Sequence, residues 1–338
     1  MKKWKAFMAV CCVMAAVTLG PFTLHSEENA PPETVQVHVV VTDAALRTDQ
    51  DLPPLKLEDV TVKQGKKPVK VTQVIHAGGE TGAIQLMILI DDTMNTQGGN
   101  LIQEIKSFVG SLPPGSTVGV GYMANATFSI AQNFTNDRDQ AMKAVRLPLG
   151  KLSTQDSPFL SLISLIKSWP PQNVRRIVLM VSDGIDRLRG EQPTRAQLGP
   201  QFGWASGPPT YHSMPTLSTD ATSASELAQR YNVVVFPLYA IGVGRAGRSQ
   251  WDLQIGLSNL TKIADETGGE CFALSTSQPV SFEPYLEQFK KMLANQYYIV
   301  FQAIPDKKAG FQRIRIDTEA PNSEILAPDN VWVPALPK

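Results

Sequence analysis

A short apolar run that ends in polar residues decides the fold of this chain. It reads Ile84-Gln85-Leu86-Met87-Ile88-Leu89-Ile90-Asp91-Asp92-Thr93-Met94-Asn95. Six of its first seven residues are apolar, and the run is too short to cross a membrane. Such a run is typical of a central strand in a parallel sheet that is covered on both faces. Because open α/β sheets bind ligands at the carboxyl ends of their strands, its polar end predicts a binding crevice there.

Three oxygen-bearing side chains alternate at the end of this run. Asp91, Thr93 and Asn95 supply a carboxylate, a hydroxyl and an amide oxygen, and a looped backbone can aim all three at one point. Hard divalent cations such as Mg²⁺ take ligands of this kind. The spacing therefore predicts a metal site at the carboxyl edge of the sheet.

Composition sets broad limits on the function. The chain has 338 residues, which allow one large domain with additions or two smaller ones. Hydrophobic residues make up 43 % and charged residues 18 %, so a sizeable core is expected. The 31 basic residues equal the 31 acidic ones in number, and this balance argues against nucleic acid as a partner.

The amino terminus has the pattern of an export signal. Three lysines among the first five residues precede an apolar segment over residues 6–20. We interpret residues 1–26 as a signal peptide, which predicts a secreted or periplasmic (cell-envelope) protein. The residues around Ser26 and Ala30 do not form a clean small-x-small cleavage site. An uncleaved amino-terminal anchor is therefore the alternative, and it is the only membrane contact that we expect.

Cysteine usage agrees with export of a chain without disulfides. Cys11 and Cys12 lie in the signal segment, so Cys271 is the only cysteine of the mature chain and no internal disulfide can form. Its apolar neighbours indicate a buried small hydrophobic residue rather than a nucleophile.

The remaining chain divides into three parts. We predict a small β unit over 33–77, a doubly wound α/β domain with a mostly parallel sheet over 83–303, and a closing strand with a Pro-rich tail over 304–338. In the β unit, we expect residues 57–63 and 69–75 to form a hairpin. Near the end of the chain, we expect residues 297–301 and 311–316 to pair with each other, and residues 270–274 to form a further strand.

A second buried strand, ending at Ser182-Asp183-Gly184, is expected beside the first. It is followed by a loop over 187–223 that is rich in Gly, Pro, Ser and Thr, with helical order resuming near Ser225. The loop is either a lid or partner-binding segment over the metal site, or a neutral insertion. Within it, Trp204 is a candidate contact for a partner.

The order of these parts resembles a von Willebrand factor type A domain. In that family, a metal-ion-dependent adhesion site consists of an Asp-x-Ser-x-Ser motif after the first strand, a Thr in a later loop, and an Asp after the fourth strand. The corresponding positions here are Asp91-x-Thr93-x-Asn95, Ser157 before a helix, and Asp183. Thr93 and Ser157 keep the hydroxyl, whereas Asn95 replaces it by a longer amide. Thr154 competes with Ser157 for the loop position.

A narrower resemblance covers nearly the whole mature chain. Its order of parts is similar to that of the secreted bacterial VWFA-related proteins abundant in acidobacteria. The similar pieces are the Val-rich first strand over 35–41, Leu57-Glu58-Asp59-Val60-Thr61-Val62, Ile90-Asp91-Asp92, Glu266-Thr267-Gly268-Gly269 and Tyr297-Tyr298-Ile299-Val300.

The resemblance implies a non-catalytic binding module. A Mg²⁺ or Mn²⁺ ion held by Asp91, Thr93, Asn95, Ser157 and Asp183 would be completed by an acidic side chain of the ligand, either a protein or a surface polymer. Binding would then depend on the cation.

Two alternatives from other classes remain open. One is a metal-dependent hydrolase of the phosphoesterase kind, because Asp91, Asp92 and Asp183 together suit Mg²⁺. The other is a structural domain with a degenerate ion site, in which Asp91 and Asp183 only cap turns or helix ends. Residues Gly242 to Gly247 have a glycine spacing similar to that of a dinucleotide-binding loop. The next helix is expected to begin too far along the chain for such a loop, so we interpret these residues as a turn near the ion face.

Overall fold

The structure is a computed structural model, and it describes most of the chain after the predicted export signal. The described residues are 34–44, 53–77, 83–95, 99–113, 115–151, 156–169, 174–188, 217–242, 250–273, 275–277 and 279–336. Beyond Pro32, the chain forms one compact unit. The predicted signal over 1–26, Thr154 and Trp204 lie outside the described residues.

Thirteen strands and six α-helices are found in the described part of the chain. The strands are β1 (Val35–Asp43), β2 (Val60–Gln64), β3 (Lys67–Val69), β4 (Val71–His76), β5 (Ile84–Asp91), β6 (Thr117–Ala124), β7 (Thr127–Thr135), β8 (Arg175–Ser182), β9 (Val233–Tyr239), β10 (Gln296–Ala303), β11 (Gly310–Thr318), β12 (Ile325–Leu326) and β13 (Asn330–Val333). The helices are α1 (Gly99–Gly110), α2 (Arg138–Ala144), α3 (Pro158–Ser168), α4 (Thr219–Arg230), α5 (Gln250–Thr267) and α6 (Glu283–Ala294).

The central sheet has five strands in the order β7-β6-β5-β8-β9. All pairs are parallel except β6 with β7 at one edge. Every residue of β5, β8 and β9 is buried. This agrees with the continuous apolar runs in their sequences, since a strand covered on both faces cannot alternate with polar residues.

Helices cover both faces of the central sheet. Leu86, Ile88 and Ile90 of β5 pack in one cluster with residues of α1, α2 and α6. Met87 and Leu89 point to the opposite face and pack with residues of α3, α4 and α5. Alternate residues of one strand thus bury into two separate cores, as the two-residue period of a strand requires. The predicted doubly wound α/β fold is confirmed.

The remaining strands form two four-stranded sheets. Their orders are β12-β1-β10-β4 and β13-β11-β2-β3. Val37, Val39 and Val41 of β1 share a core with Ile314 and Ile316 of β11, so the two sheets bury one apolar layer between them. Strands from both ends of the chain therefore build this second layer.

Two of the predicted strand pairings are wrong. Strand β10 does not pair with β11; it lies between β1 and β4, and β11 lies between β2 and β13. Phe301 of β10 and Ile314 of β11 belong to one core but to different sheets, so their apolar stripes face each other instead of pairing. The predicted hairpin does not form, because β2 pairs with the short β3 and with β11, whereas β4 pairs with β10.

The predicted loop over 187–223 ends earlier than expected, because α4 begins at Thr219. The Ser218 side chain caps the helix by accepting hydrogen bonds from the main chain of Asp220 and Ala221. The buried residues of α4 are mostly small, such as Ala221, Ala224 and Ala228. Small residues among Ser and Thr give a weak periodic signal, which explains the missed helix start.

The strand predicted over 270–274 is reduced to a single bridge between Leu238 and Phe272. The main chain of Phe272 donates to Pro237 O at 2.8 Å and accepts from Tyr239 N at 3.1 Å. The described residues contain no helix that is long and apolar enough to cross a membrane.

Cys271 lies partly buried against the core that contains α3, α4 and α5. Desolvation by burial raises the pKa of its thiol to about 12. Because the thiolate is the reactive form, the native protein should resist alkylation by iodoacetamide at pH 8. We expect the peptide that contains Cys271 to stay unmodified in mass spectrometry until guanidinium unfolds the chain. Rapid labelling of the native protein would contradict this burial.

Candidate functional site

The carboxyl ends of β5 and β8 meet at one edge of the central sheet. These strands are parallel neighbours, and Ile90 pairs with Val181. The next residues along each strand, Asp91 and Ser182, therefore end at the same level, and Asp183 follows directly. Adjacent strands are about 4.8 Å apart, so the register alone brings the two predicted carboxylates into the same region.

Asp91 is the centre of a buried hydrogen-bond network. Its Oδ1 accepts from Thr93 N at 2.8 Å and from Thr93 Oγ1 at 2.6 Å. Its Oδ2 accepts from Ser182 Oγ at 2.8 Å. Asp91 is only 2 % exposed, so these donors replace the water that a carboxylate would otherwise bind.

The environment of Asp91 disfavours its charged form. Its pKa is raised to about 6, chiefly because burial removes the carboxylate from water and then because Asp183 carries a like charge nearby. Asp156 adds a smaller contribution in the same direction. The positive charge of Arg187 and the hydrogen bond from Thr93 oppose this shift.

Asp183 is paired with a basic residue four positions further along the chain. Its Oδ2 lies 2.9 Å from Arg187 Nη2, and both side chains are buried. Its Oδ1 accepts from Ile185 N at 3.1 Å. A buried ion pair thus occupies the position at which the sequence predicts a metal ligand.

The main chain after β9 forms a wall of this site. Asn95 N donates to Ile241 O at 3.0 Å, and Met94 forms a bridge with Gly242. A Cβ atom on Gly242 would overlap Asp183 Oδ2 and would lie 3.1 Å from Arg187 Nη2. The close approach of this backbone to the Asp183–Arg187 pair therefore requires glycine. Gly242 lies beside the predicted ion face, as expected for the first residue of that turn, and residues 243–249 lie outside the described part.

The loop before α3 brings a third carboxylate to the edge. Ser157 caps α3, and its Oγ accepts from Leu160 N at 3.3 Å. The preceding Asp156 is 2 % exposed and accepts from Ala126 N at 2.9 Å through Oδ1. Its buried Oδ2 has no hydrogen-bond partner among the described residues. Arg187 N donates to the main-chain oxygen of Asp156 at 2.8 Å, which joins this loop to the segment after β8.

Asp92 belongs to a different arrangement. It accepts two hydrogen bonds from Arg146, with Nη1 at 2.7 Å from Oδ1 and Nη2 at 2.8 Å from Oδ2. The Arg146 guanidinium also lies 3.7 Å from the centre of the Tyr122 ring. This bidentate contact holds Asp92 as an anchor for the chain around Leu149, whose N–H donates to it at 3.2 Å.

The structure brings most of the predicted site residues to one edge. Thr93 donates to Asp91, and Asp183 lies close enough to raise the pKa of Asp91. Ser157 follows Asp156 directly, and the main chain of Asn95 is bound to Ile241 O. Sequence reasoning missed the contributions of Ser182, Asp156 and Arg187. The signal available in the sequence was their position, because Ser182 and Asp156 each precede a predicted ligand and Arg187 lies four residues after Asp183.

The type of fold follows from the order of the strands and the placement of the helices. The central sheet has one antiparallel edge strand next to four parallel strands, and helices cover both of its faces. The Asp-x-Thr-x-Asn motif at the end of β5 lies beside Asp183, which follows the neighbouring strand β8. The fold is that of a von Willebrand factor type A domain. The narrower resemblance to secreted bacterial VWFA-related proteins stays a prediction.

Comparisons with known proteins gave matches among solved structures alone. No family model matches the chain, and no curated protein matches it. A von Willebrand factor type A protein from Catenulispora acidiphila is similar with a TM-score of 0.39 and 11 % identity, over 90 % of this chain and 74 % of that one. An aerotolerance-related membrane protein from Bacteroides fragilis has a TM-score of 0.41 and 13 % identity, over 62 % of this chain and 98 % of that one.

The oxygen donors at the edge of this von Willebrand A-type domain fit a hard divalent cation in type and in charge. Within the described residues, no cluster of three or more His, Cys, Asp or Glu side chains is arranged to hold a metal. The predicted set has only two carboxylates, and its other donors are hydroxyl and amide oxygens. The fit rests on the unpartnered Asp156 Oδ2 and on the excess of buried negative charge around Asp91.

Proposed function

We propose that this protein is an exported, non-catalytic binding module. It recognises another protein or a surface polymer at the carboxyl edge of β5 and β8, in a manner that depends on Mg²⁺ or Mn²⁺. The residues that would hold the ion are Asp91, Thr93, Asn95, Ser157 and Asp183. A bound ion would supply positive charge at the edge and would attract an acidic side chain of the partner.

A charge imbalance among buried groups supports this proposal. The carboxylates of Asp183 and Asp156 lie close enough to raise the pKa of Asp91, and the guanidinium of Arg187 lowers it. Buried charges are costly unless they are paired or bind a metal. A divalent cation would balance the remaining charge, and carboxylate and hydroxyl oxygens are ligands of the kind that it prefers.

The geometry favours a binding module over the hydrolase alternative. That alternative uses Asp92 as a third carboxylate at the metal. Asp92 is instead held by both terminal nitrogens of Arg146, and its position is further restrained by Leu149 N. Asp92 therefore serves the packing of the edge.

Titration with Mg²⁺ and Mn²⁺ tests the dependence on a cation. Ligand that binds only the folded state at a hundredfold excess over its dissociation constant stabilises a protein by about 2.7 kcal/mol. We expect the melting temperature of the wild-type protein to rise with added ion and to fall back with chelator. The same titration of Asp91→Ala should show no rise, because this substitution removes a ligand.

The control for nonspecific ion effects is Lys63→Ala. Lys63 lies near Asp317 at 3.8 Å on the other β layer, and both side chains are well exposed. This variant should respond to metal as the wild type does. A wild-type melting temperature that is indifferent to both ions would refute cation dependence and leave the structural alternative.

A further inference from the structure

The strongest unexplained feature of the site is the buried ion pair between Arg187 and Asp183. Arg187 Nη2 lies 2.9 Å from Asp183 Oδ2, and the exposed fractions of the two side chains are 7 % and 3 %. Exposed ion pairs contribute little to stability, whereas removing one partner of a buried pair is costly because the other charge is left buried and unpaired. Asp183 is also one of the predicted metal ligands, so its charge is already compensated by this chain.

The main chain fixes the origin of the Arg187 side chain. Arg187 N donates to the main-chain oxygen of Asp156 at 2.8 Å. Gly242 restricts the space on another side, because a Cβ there would overlap Asp183 Oδ2. The guanidinium therefore lies on Asp183 and beside Gly242, next to the proposed ion site.

We propose that the Arg187 guanidinium is a built-in cation that competes with the divalent ion for Asp183 and so sets the metal affinity of the site. The inference rests on the proposed function. A metal ion and a guanidinium both require the negative charge of Asp183, and two cations at one carboxylate repel each other. An ion that binds with Arg187 in place gains less than it would at an uncompensated Asp183. The side chain of Arg187 thus determines how much metal is needed.

A second arginine–aspartate pair at the same edge provides a matched control. Arg146 and Asp92 are joined at 2.7 Å, but the Arg146 side chain is 42 % exposed. Neither residue is among the groups that influence the pKa of Asp91. Removing the Arg146 side chain should therefore change stability without changing metal affinity.

Calorimetric titration with Mn²⁺ alone tests the competition in the full chain. We expect Arg187→Ala to bind Mn²⁺ at least about tenfold more tightly than the wild type, which corresponds to roughly 1.4 kcal/mol. We also expect its melting temperature in chelator to fall below that of the wild type, since Asp183 loses its partner, and to recover with Mn²⁺. Arg146→Ala should bind Mn²⁺ with the wild-type affinity.

The double variant Asp183→Asn with Arg187→Ala covers the case in which the single variant does not fold. It removes both charges, so it should fold in chelator and gain little from Mn²⁺. Tighter Mn²⁺ binding by Arg187→Ala than by the wild type supports the inference. Binding of Mn²⁺ by Arg187→Ala when the wild type binds none supports it as well. In the latter case the wild type's cation dependence fails while the competition stands.

Two results would overturn the inference. Equal affinities of the wild type and Arg187→Ala would show that the guanidinium does not compete, while the proposed cation-dependent function would stand. Weaker binding by Arg187→Ala would mean that the arginine supports the ion instead of opposing it.

Discussion

Gly184→Ala is expected to lower the free energy of unfolding by about 2–5 kcal/mol, combining left-handed backbone strain with overpacking. Gly184 has a φ of +70°, a conformation that side chains other than glycine disfavour. A Cβ at this position would overlap the main-chain oxygen of Gly256 and would lie 2.6 Å from Leu260 Cγ. The turn after Asp183 packs directly on α5, and the backbone of that helix cannot move away alone.

Urea unfolding monitored by circular dichroism measures this loss, and Gly65→Ala is the matched control. Gly65 also has a positive φ, +59°, but a Cβ there would meet no atom within 4 Å. The control should therefore lose only the conformational contribution, about 1–2 kcal/mol. Equal losses in the two variants would show that the contact with α5 carries no additional cost.

Asp183→Ala is expected to destabilise the protein by about 3–5 kcal/mol, because it removes the carboxylate from a buried ion pair. Arg187 would keep its charge within a site where its side chain is 7 % exposed. The substitution also removes the acceptor for Ile185 N at the turn after β8. The midpoint of urea unfolding should fall accordingly in buffer that contains chelator.

Asp183→Asn separates charge from hydrogen bonding at this position. Its amide oxygen can still accept from Ile185 N or Arg187 Nη2, so we expect a smaller loss than for alanine. We also expect Asp92→Ala to lower the free energy of unfolding less than Asp183→Ala does, because the arginine left without its partner, Arg146, is half-exposed. If Asp183→Ala were as stable as the wild type, the ion pair would not contribute to the folded state.

Local sequence patterns were sufficient for the central sheet. The lengths and polar ends of the apolar runs in β5 and β8 predicted doubly covered parallel strands, and the structure buries every residue of both. Pairing of the outer strands was not predictable in this way. Strand β10 could have paired with any apolar strand by its composition, and its neighbours β1 and β4 are more than 200 positions away along the chain.

The candidate site shows the same division. Asp91 and Asp183 were found because each follows a buried strand, and strand register then brings them together. Asp156 was not among the predicted site residues, and Arg187 was predicted only as the first residue of a loop. Their importance depends on burial and on charges from distant segments, which no local pattern reports.

The sequence by itself determined the doubly wound core and the edge at which carboxylates collect, because periodicity and strand ends are local properties. Only the tertiary structure decided that a guanidinium of the same chain lies on Asp183, that Asp92 is held by Arg146, and that strands from both chain ends share one β layer. The Asp92–Arg146 pair and the shared β layer join residues far apart along the chain, and the Asp183–Arg187 pair, although local, is buried only by packing of distant segments. In each case packing space and the desolvation of charge select among pairings that are equivalent in sequence.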